Sequence, residues 1–152
     1  SVELNVVDGV ILPNLKMQGT GEACAYLDAA GRCSIHPYRP GICRLFPLGR
    51  HYENGGLFYF LQTGECAKEN RSKVKVSKWI DTPELKRNEQ FKLQWHDLLS
   101  AMTDRVAGED EGKQREENLL LLRLFYLLPY EGTTDFYSQF TERMEHWNEQ
   151  IG

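Results

Sequence analysis

The chain has 152 residues, 41% of them hydrophobic and 11% aromatic, which suits one globular domain able to bury a core. Its 18 Lys and Arg against 22 Asp and Glu leave a net charge of −4, which argues against strong nucleic acid binding. No apolar run reaches the roughly 18 residues a membrane span needs, and residues 1–20 lack the basic start and apolar centre of an export signal, so no membrane and a reducing, cytoplasmic setting are expected.

Residues 1–80 read as an irregular, turn-rich module with short strands. Asp28-Ala-Ala-Gly31 is a turn between Ala25–Leu27 and Cys33–Ile35, and a hairpin there would draw Cys24 and Cys33 together. Pro37, Pro40 and Pro47 predict an extended, non-helical segment. Glu53-Asn54-Gly55-Gly56 is a strong hairpin turn joining Leu48–Tyr52 to the strand-like run Leu57–Leu61. Lys73-Val74-Lys75-Val76 alternates in the manner of an edge strand, with its lysines outward.

Residues 81–152 read as helices. Thr82-Pro83-Glu84 combines a cap residue, a proline at the first helical position and an acid. Phe91, Trp95, Leu98, Leu99, Met102 and Val106 then follow helical spacing. Gly108 and Gly112 bracket an acidic connector. Glu116 to Leu128 is apolar on nearly every side and predicts a central buried helix ended by Pro129. Thr134 or Asp135 can cap a last helix carrying Phe136, Phe140, Met144, Trp147 and Ile151 on one face. The expected fold is therefore α+β: a single domain, 1–152, in which a small cysteine-bearing β module (1–80) packs on a helical part (81–152).

The chemistry concentrates in the first part. Cys24, Cys33, Cys43 and Cys66 are the chain's four cysteines, spaced Cys-x8-Cys-x9-Cys-x22-Cys. Four thiolates can close one tetrahedral metal or iron–sulfur site. The tight Cys-x2-Cys knuckles of a zinc ribbon are absent, so a 4Fe–4S cluster is favoured over zinc, which stays the alternative. Buried free thiols and disulfides are the other readings. Residues 9–80 carry ten Lys and Arg against five Asp and Glu, whereas residues 81–152 carry eight against fifteen. A basic surround suits an anionic thiolate site, although an ordinary solvated surface gives the same counts.

The stretch Gly31-Arg-Cys33-Ser-Ile-His-Pro-Tyr38-Arg39-Pro40-Gly-Ile-Cys43-Arg44-Leu-Phe46-Pro47 resembles the signature of the YkgJ-type cysteine cluster family, prokaryotic proteins described as zinc- or iron-chelating domains. That signature is a Gly-x-Cys turn followed by Tyr-x-x-Arg-Pro-x-x-Cys-Arg-x-Phe-Pro, and Cys24 and Cys66 match its flanking cysteines. The resemblance is specific across Cys24–Pro47 and extends to about Cys66. It implies a metal or cluster held by the four cysteines. The family opens with a dense Cys-x2-Cys-x2-Cys-Cys motif that has no counterpart before Cys24. Because the chain starts at Ser1, a preceding segment bearing those cysteines is expected. Flagellin lysine methylase carries a similar cysteine domain, so the resemblance also allows an enzyme domain that uses the site for group transfer or redox chemistry. A third reading is a zinc-stabilised structural module that binds a protein partner or substrate of unknown identity.

Arg39 and Arg44 flank Cys43 and are candidate cofactor-binding residues, able to hydrogen-bond cluster sulfurs or an anion; the alternative is an arginine bonding turn carbonyls or Asp28. Tyr38 and Phe46 would shield the site. His36 could replace a thiolate, but its place before a proline in a turn reads as surface. His51, His96 and His146 are scattered, and His96 is expected to face solvent. The basic run Lys68, Arg71, Lys73, Lys75, Lys78 fits an edge strand better than a nucleic acid groove, and no phosphate loop, nucleophile elbow or zinc-protease motif is present.

Overall fold

The structure is a computed structural model, and it describes residues 2–21, 23–65 and 72–151. It is 48% helix and 21% strand, with small antiparallel sheets followed by helices, which makes the fold α+β. In chain order the strands are β1 (Val2–Val7), β2 (Val10–Leu15), β3 (Met17–Gln18), β4 (Ala23–Cys24), β5 (Leu48–Glu53) and β6 (Gly56–Leu61). The α-helices are α1 (Gly41–Leu45), α2 (Val76–Ile80), α3 (Leu85–Val106), α4 (Glu111–Leu122) and α5 (Phe136–Ile151). Among the described residues no helix is long and apolar enough to cross a membrane. The contacts divide the chain into two compact units, Ser1–Ala25 with His96–Gly152, and Tyr26–Trp95.

The first unit is built from both ends of the chain. β1 and β2 form an antiparallel hairpin in the register Val7↔Val10 to Val2↔Leu15, closed by Asp8-Gly9. Both turn residues have positive φ, 50° and 82°, as a two-residue primed turn requires. A Cβ on Gly9 would also stand 2.9 Å from the Val106 side chain, so glycine is needed for space as well as for conformation. Asn118 of α4, 3% exposed, pins this hairpin: its Nδ2 donates to the Gly9 carbonyl at 3.0 Å and its Oδ1 accepts from the Ile11 amide at 2.6 Å. Val10, Leu98, Met102, Val106, Leu121, Leu122, Leu124, Phe125, Phe140 and Trp147 are the buried apolar side chains here. The Phe125 ring lies 5.7 Å from that of Phe140 and 6.3 Å from that of Trp147, which seats α5 against the end of α4.

The helix ends are satisfied by side chains. Asp110 caps α4, accepting from the amides of Gly112 and Lys113. Asp135 receives the Ser138 amide at 2.9 Å in the first turn of α5, as the sequence predicts. The run Glu116–Leu128 is not one α-helix. α4 ends at Leu122 and continues as a π-type turn, Arg123–Leu127, in which the Leu128 amide donates to the Arg123 carbonyl. Arg143 of α5 takes up the carbonyls freed there, donating to Leu124 at 2.7 Å, Leu128 at 2.9 Å and Pro129 at 2.8 Å while its guanidinium lies over the Tyr130 ring. The unwinding turns Leu127 and Leu128 outward, and Leu119 is exposed as well, so the run is buried on one side only.

The second unit, Tyr26–Trp95, has far less core: among its described residues only Leu45 and Ile80 are buried apolar side chains. The β5–β6 hairpin forms as the Asn54-Gly55 signal predicts, with φ of 50° and 71° at the turn and Phe60 lying over Gly49 across the ladder. Three local expectations are corrected. Pro37 lies in the first turn of a 3₁₀ turn over His36–Tyr38, where a fixed φ and a missing N–H are suited, and Pro40 is the capping residue just before α1. Lys73–Lys75 are not a strand, and Val76 opens α2; alternation over four residues carries too little information to override an adjoining apolar turn. Thr82-Pro83-Glu84 lies ahead of α3, which begins at Leu85: the Thr82 hydroxyl donates backward to the Ile80 carbonyl, and Glu84 has φ of 49°.

Candidate functional site

Cys33 is positioned by a tight side-chain-closed loop. Asp28 Oδ1 accepts from the amides of Ala30 and Arg32, each at 2.9 Å, and Gly31 takes φ of 71°. The Leu27↔Cys33 bridge and the Ser34 amide on the Tyr26 carbonyl at 2.8 Å close the loop as an antiparallel turn. Cys43 follows two proline-initiated turns and lies within α1, exposed. Cys24 ends β4, paired with Met17 of β3, and is half-buried like Cys33. None of these three thiols is in the core, and Cys24 and Cys33 are not in disulfides.

The arginines of the motif have defined partners. Arg44 spans two segments, with one guanidinium nitrogen donating to the Asp81 carbonyl at 3.1 Å and the other to the Pro37 carbonyl at 3.0 Å. The Asp81 carbonyl is available because Asp81 ends α2 in the left-handed conformation, with φ of 48°. The Trp79 indole adds a second tie, donating to the Phe46 carbonyl at 3.0 Å. Arg39 lies on the His36 ring, 2.9 Å from its Nδ1, and also donates to the His36 carbonyl at 3.3 Å. Asp28 pairs with Arg32 rather than Arg39. Tyr38, 87% exposed, and Phe46 stand on the surface.

The cysteines are divided between the units: Cys24 belongs to the first, Cys33 and Cys43 to the second. Cys66 lies outside the described residues. Among the described residues no three His, Cys, Asp or Glu side chains come together as a group that could hold a metal ion. The described thiols by themselves therefore do not make a finished metal site, and the chemistry of their donor set, soft sulfur ligands outside the core, is what fits such a group.

A second polar cluster had no signature beyond an ordinary amphipathic pattern. Across β5–β6 the register sets Tyr59 opposite Arg50, and the Tyr59 hydroxyl donates to Glu89 Oε1 of α3 at 3.1 Å. Burial, reinforced by the Glu89 charge and hydrogen bond, pushes the Tyr59 hydroxyl up to about 12. Burial, helped by the Arg50 charge, pushes the Lys92 ammonium down. Only the spacing of Glu89 and Lys92 on one helix face hinted at it.

No family model matches the chain, and comparison with curated proteins and with solved structures gave no match.

Proposed function

We propose that this chain binds a metal or an iron–sulfur cluster through Cys24, Cys33, Cys43 and Cys66, a 4Fe–4S cluster ahead of zinc, in the manner of the YkgJ-type proteins its motif resembles. The observation that carries the reading is the poverty of the core around the motif. Residues 26–95 have Leu45 and Ile80 as their buried apolar side chains among those described, and a unit of this size usually needs a disulfide or a metal to supplement so small a core. The accessibility of the thiols agrees with this, because cysteine that merely fills space is among the most buried of residues. Thiolates repel one another until a cation joins them, so assembly of the ligand set is coupled to binding.

Anaerobic purification, followed by the visible spectrum and by iron, sulfide and zinc analysis, tests the proposal. Stoichiometric iron and sulfide with charge-transfer absorption support the cluster, and stoichiometric zinc supports the alternative. A colourless protein with neither metal, and with all four thiols open to alkylation, would overturn both. The exposed Tyr38, Ile42 and Phe46 beside Cys43 favour one second reading, a zinc-stabilised module that docks a protein partner. Zinc without redox activity is the result that would select it.

A further inference from the structure

We infer that β1 is a docking edge for a second copy of this chain, whose own β1 pairs with it antiparallel about a two-fold axis at Leu4. The two edges of the first hairpin are made differently. Its Asp8-Gly9 turn makes Val7 and Val10 a hydrogen-bonded pair, so inward and outward backbone groups alternate from there. The Ile11 amide fixes the phase, because it points away from β1 and donates to Asn118 Oδ1. Pro13 is the next outward position on β2, and it has no N–H to offer. The outer edge of β2 is thereby blocked at both places. On β1 the outward positions are Val2, Leu4 and Val6. These residues are 59%, 59% and 68% exposed, and among the described residues β1 pairs with β2 alone. No proline, lysine or bulge, the usual devices that keep an edge unpaired, interrupts the strand.

The occupant follows from the register. A strand joined here must set its own outward groups against those of Val2, Leu4 and Val6. β1 meets that condition with itself. Antiparallel and centred on Leu4, it sets Val2 opposite the partner's Val6 and Leu4 opposite the partner's Leu4, each pair exchanging both backbone bonds. The side chains of these pairs share one face, on which Ile11, Pro13 and Leu15 of β2 continue the apolar surface. Glu3 is the one charged side chain of β1, and in this register it stands opposite the partner's Asn5, so no like charges meet. Any register shifted by one residue sets outward groups against inward ones, and a shift by two leaves one outward position unpaired. One short strand from each copy makes a contact smaller than the roughly 1,200 Å² of a stable interface, so the dimer is transient.

Sedimentation equilibrium of the full chain between about 10 μM and 1 mM, the range of a weak contact, tests the pairing. The average mass should rise from that of one copy towards that of two. Leu4→Lys sets two ammonium groups against each other at the axis, and Leu4→Glu sets two carboxylates there. Leu4 is exposed, so both variants are expected to fold. Each alone should weaken dimerisation by about tenfold, and an equimolar mixture of the two at low salt should restore it. In the parent, amide exchange at Leu4 and Val6 should slow as concentration rises, with less change at Glu3 and Asn5, whose amides already face β2. A monomer throughout, a dimer unaffected by both variants, or a mixture no tighter than either variant alone would overturn the inference. So would Leu4 and Val6 amides protected equally at every concentration, because a segment of the same copy would then hold the edge.

Discussion

At the scale of single residues, this fold is held by side chains that reach backbone groups far away in sequence. Asn118 satisfies a carbonyl and an amide of the β1–β2 hairpin while its Nδ2 also donates to the Gln114 carbonyl at 2.9 Å. Asn118→Ala should strand those groups in a buried place and cost about 2–3 kcal/mol, seen as a lower urea midpoint; an unchanged midpoint would mean that water replaces the amide without loss. Arg44 makes the same kind of link between Pro37 and Asp81. Arg44→Lys keeps the charge but cannot span two carbonyls with a planar fork, so thermal stability should fall by about 1 kcal/mol. If the thiols hold a metal, Cys43→Ser should release most of it while Arg44→Lys retains it. Equal metal in Cys43→Ser and the parent would exclude Cys43 as a ligand. The motif made Arg44 visible in the sequence, but its partners were not, because a partner 37 residues away leaves no local trace.

At the scale of elements, turn chemistry was the most legible part of the sequence. Asn54-Gly55 and Asp28-Ala-Ala-Gly31 both fold as their residues require, since few residues tolerate the conformations those turns impose. Asp8-Gly9, between Val-Val and Val-Ile, is an equally strong signal, and the β1–β2 hairpin forms on it. The change from α4 to a π-type turn was not legible: it depends on Arg143, in another helix, accepting the job of capping the freed carbonyls. Gly55→Ala should cost about 1 kcal/mol, and for a purely conformational reason, because a Cβ there would meet nothing within 4 Å. Leu124, 5% exposed where α4 becomes the π-type turn, is the opposite case. Leu124→Ala should cost about 2–5 kcal/mol through lost burial and a cavity beside Phe125, read as a drop in melting temperature. No change would show that this turn is not part of the core.

At the scale of the whole molecule, the two units should answer alike to alkali and differently to loss of metal. Burial raises the Tyr59 hydroxyl in one unit and the Tyr126 hydroxyl in the other to about 12, above the ordinary 10.0. A group raised on folding contributes stability that is complete below its unfolded value and is lost as pH climbs through its folded value, so both units should lose stability between about pH 10 and 12. Tyr59→Phe should flatten that dependence in residues 26–95 alone, with hydrogen exchange as the readout. Metal removal should divide the units more sharply. The unit formed by the chain ends holds Met102, Leu121, Phe140 and Trp147 at 6% exposure or less, so its helices share an apolar core of their own. Among the described residues of 26–95, Leu45 and Ile80 are the buried apolar side chains, and their neighbours Arg44 and Trp79 donate to backbone carbonyls. A strong chelator added to metal-loaded protein should therefore raise amide exchange through residues 26–65 and 72–80 while α4 and α5 stay protected. Protection lost uniformly along the chain would show that one cooperative core serves both units. Unchanged exchange after verified metal loss would show that the thiols bind metal without holding the fold.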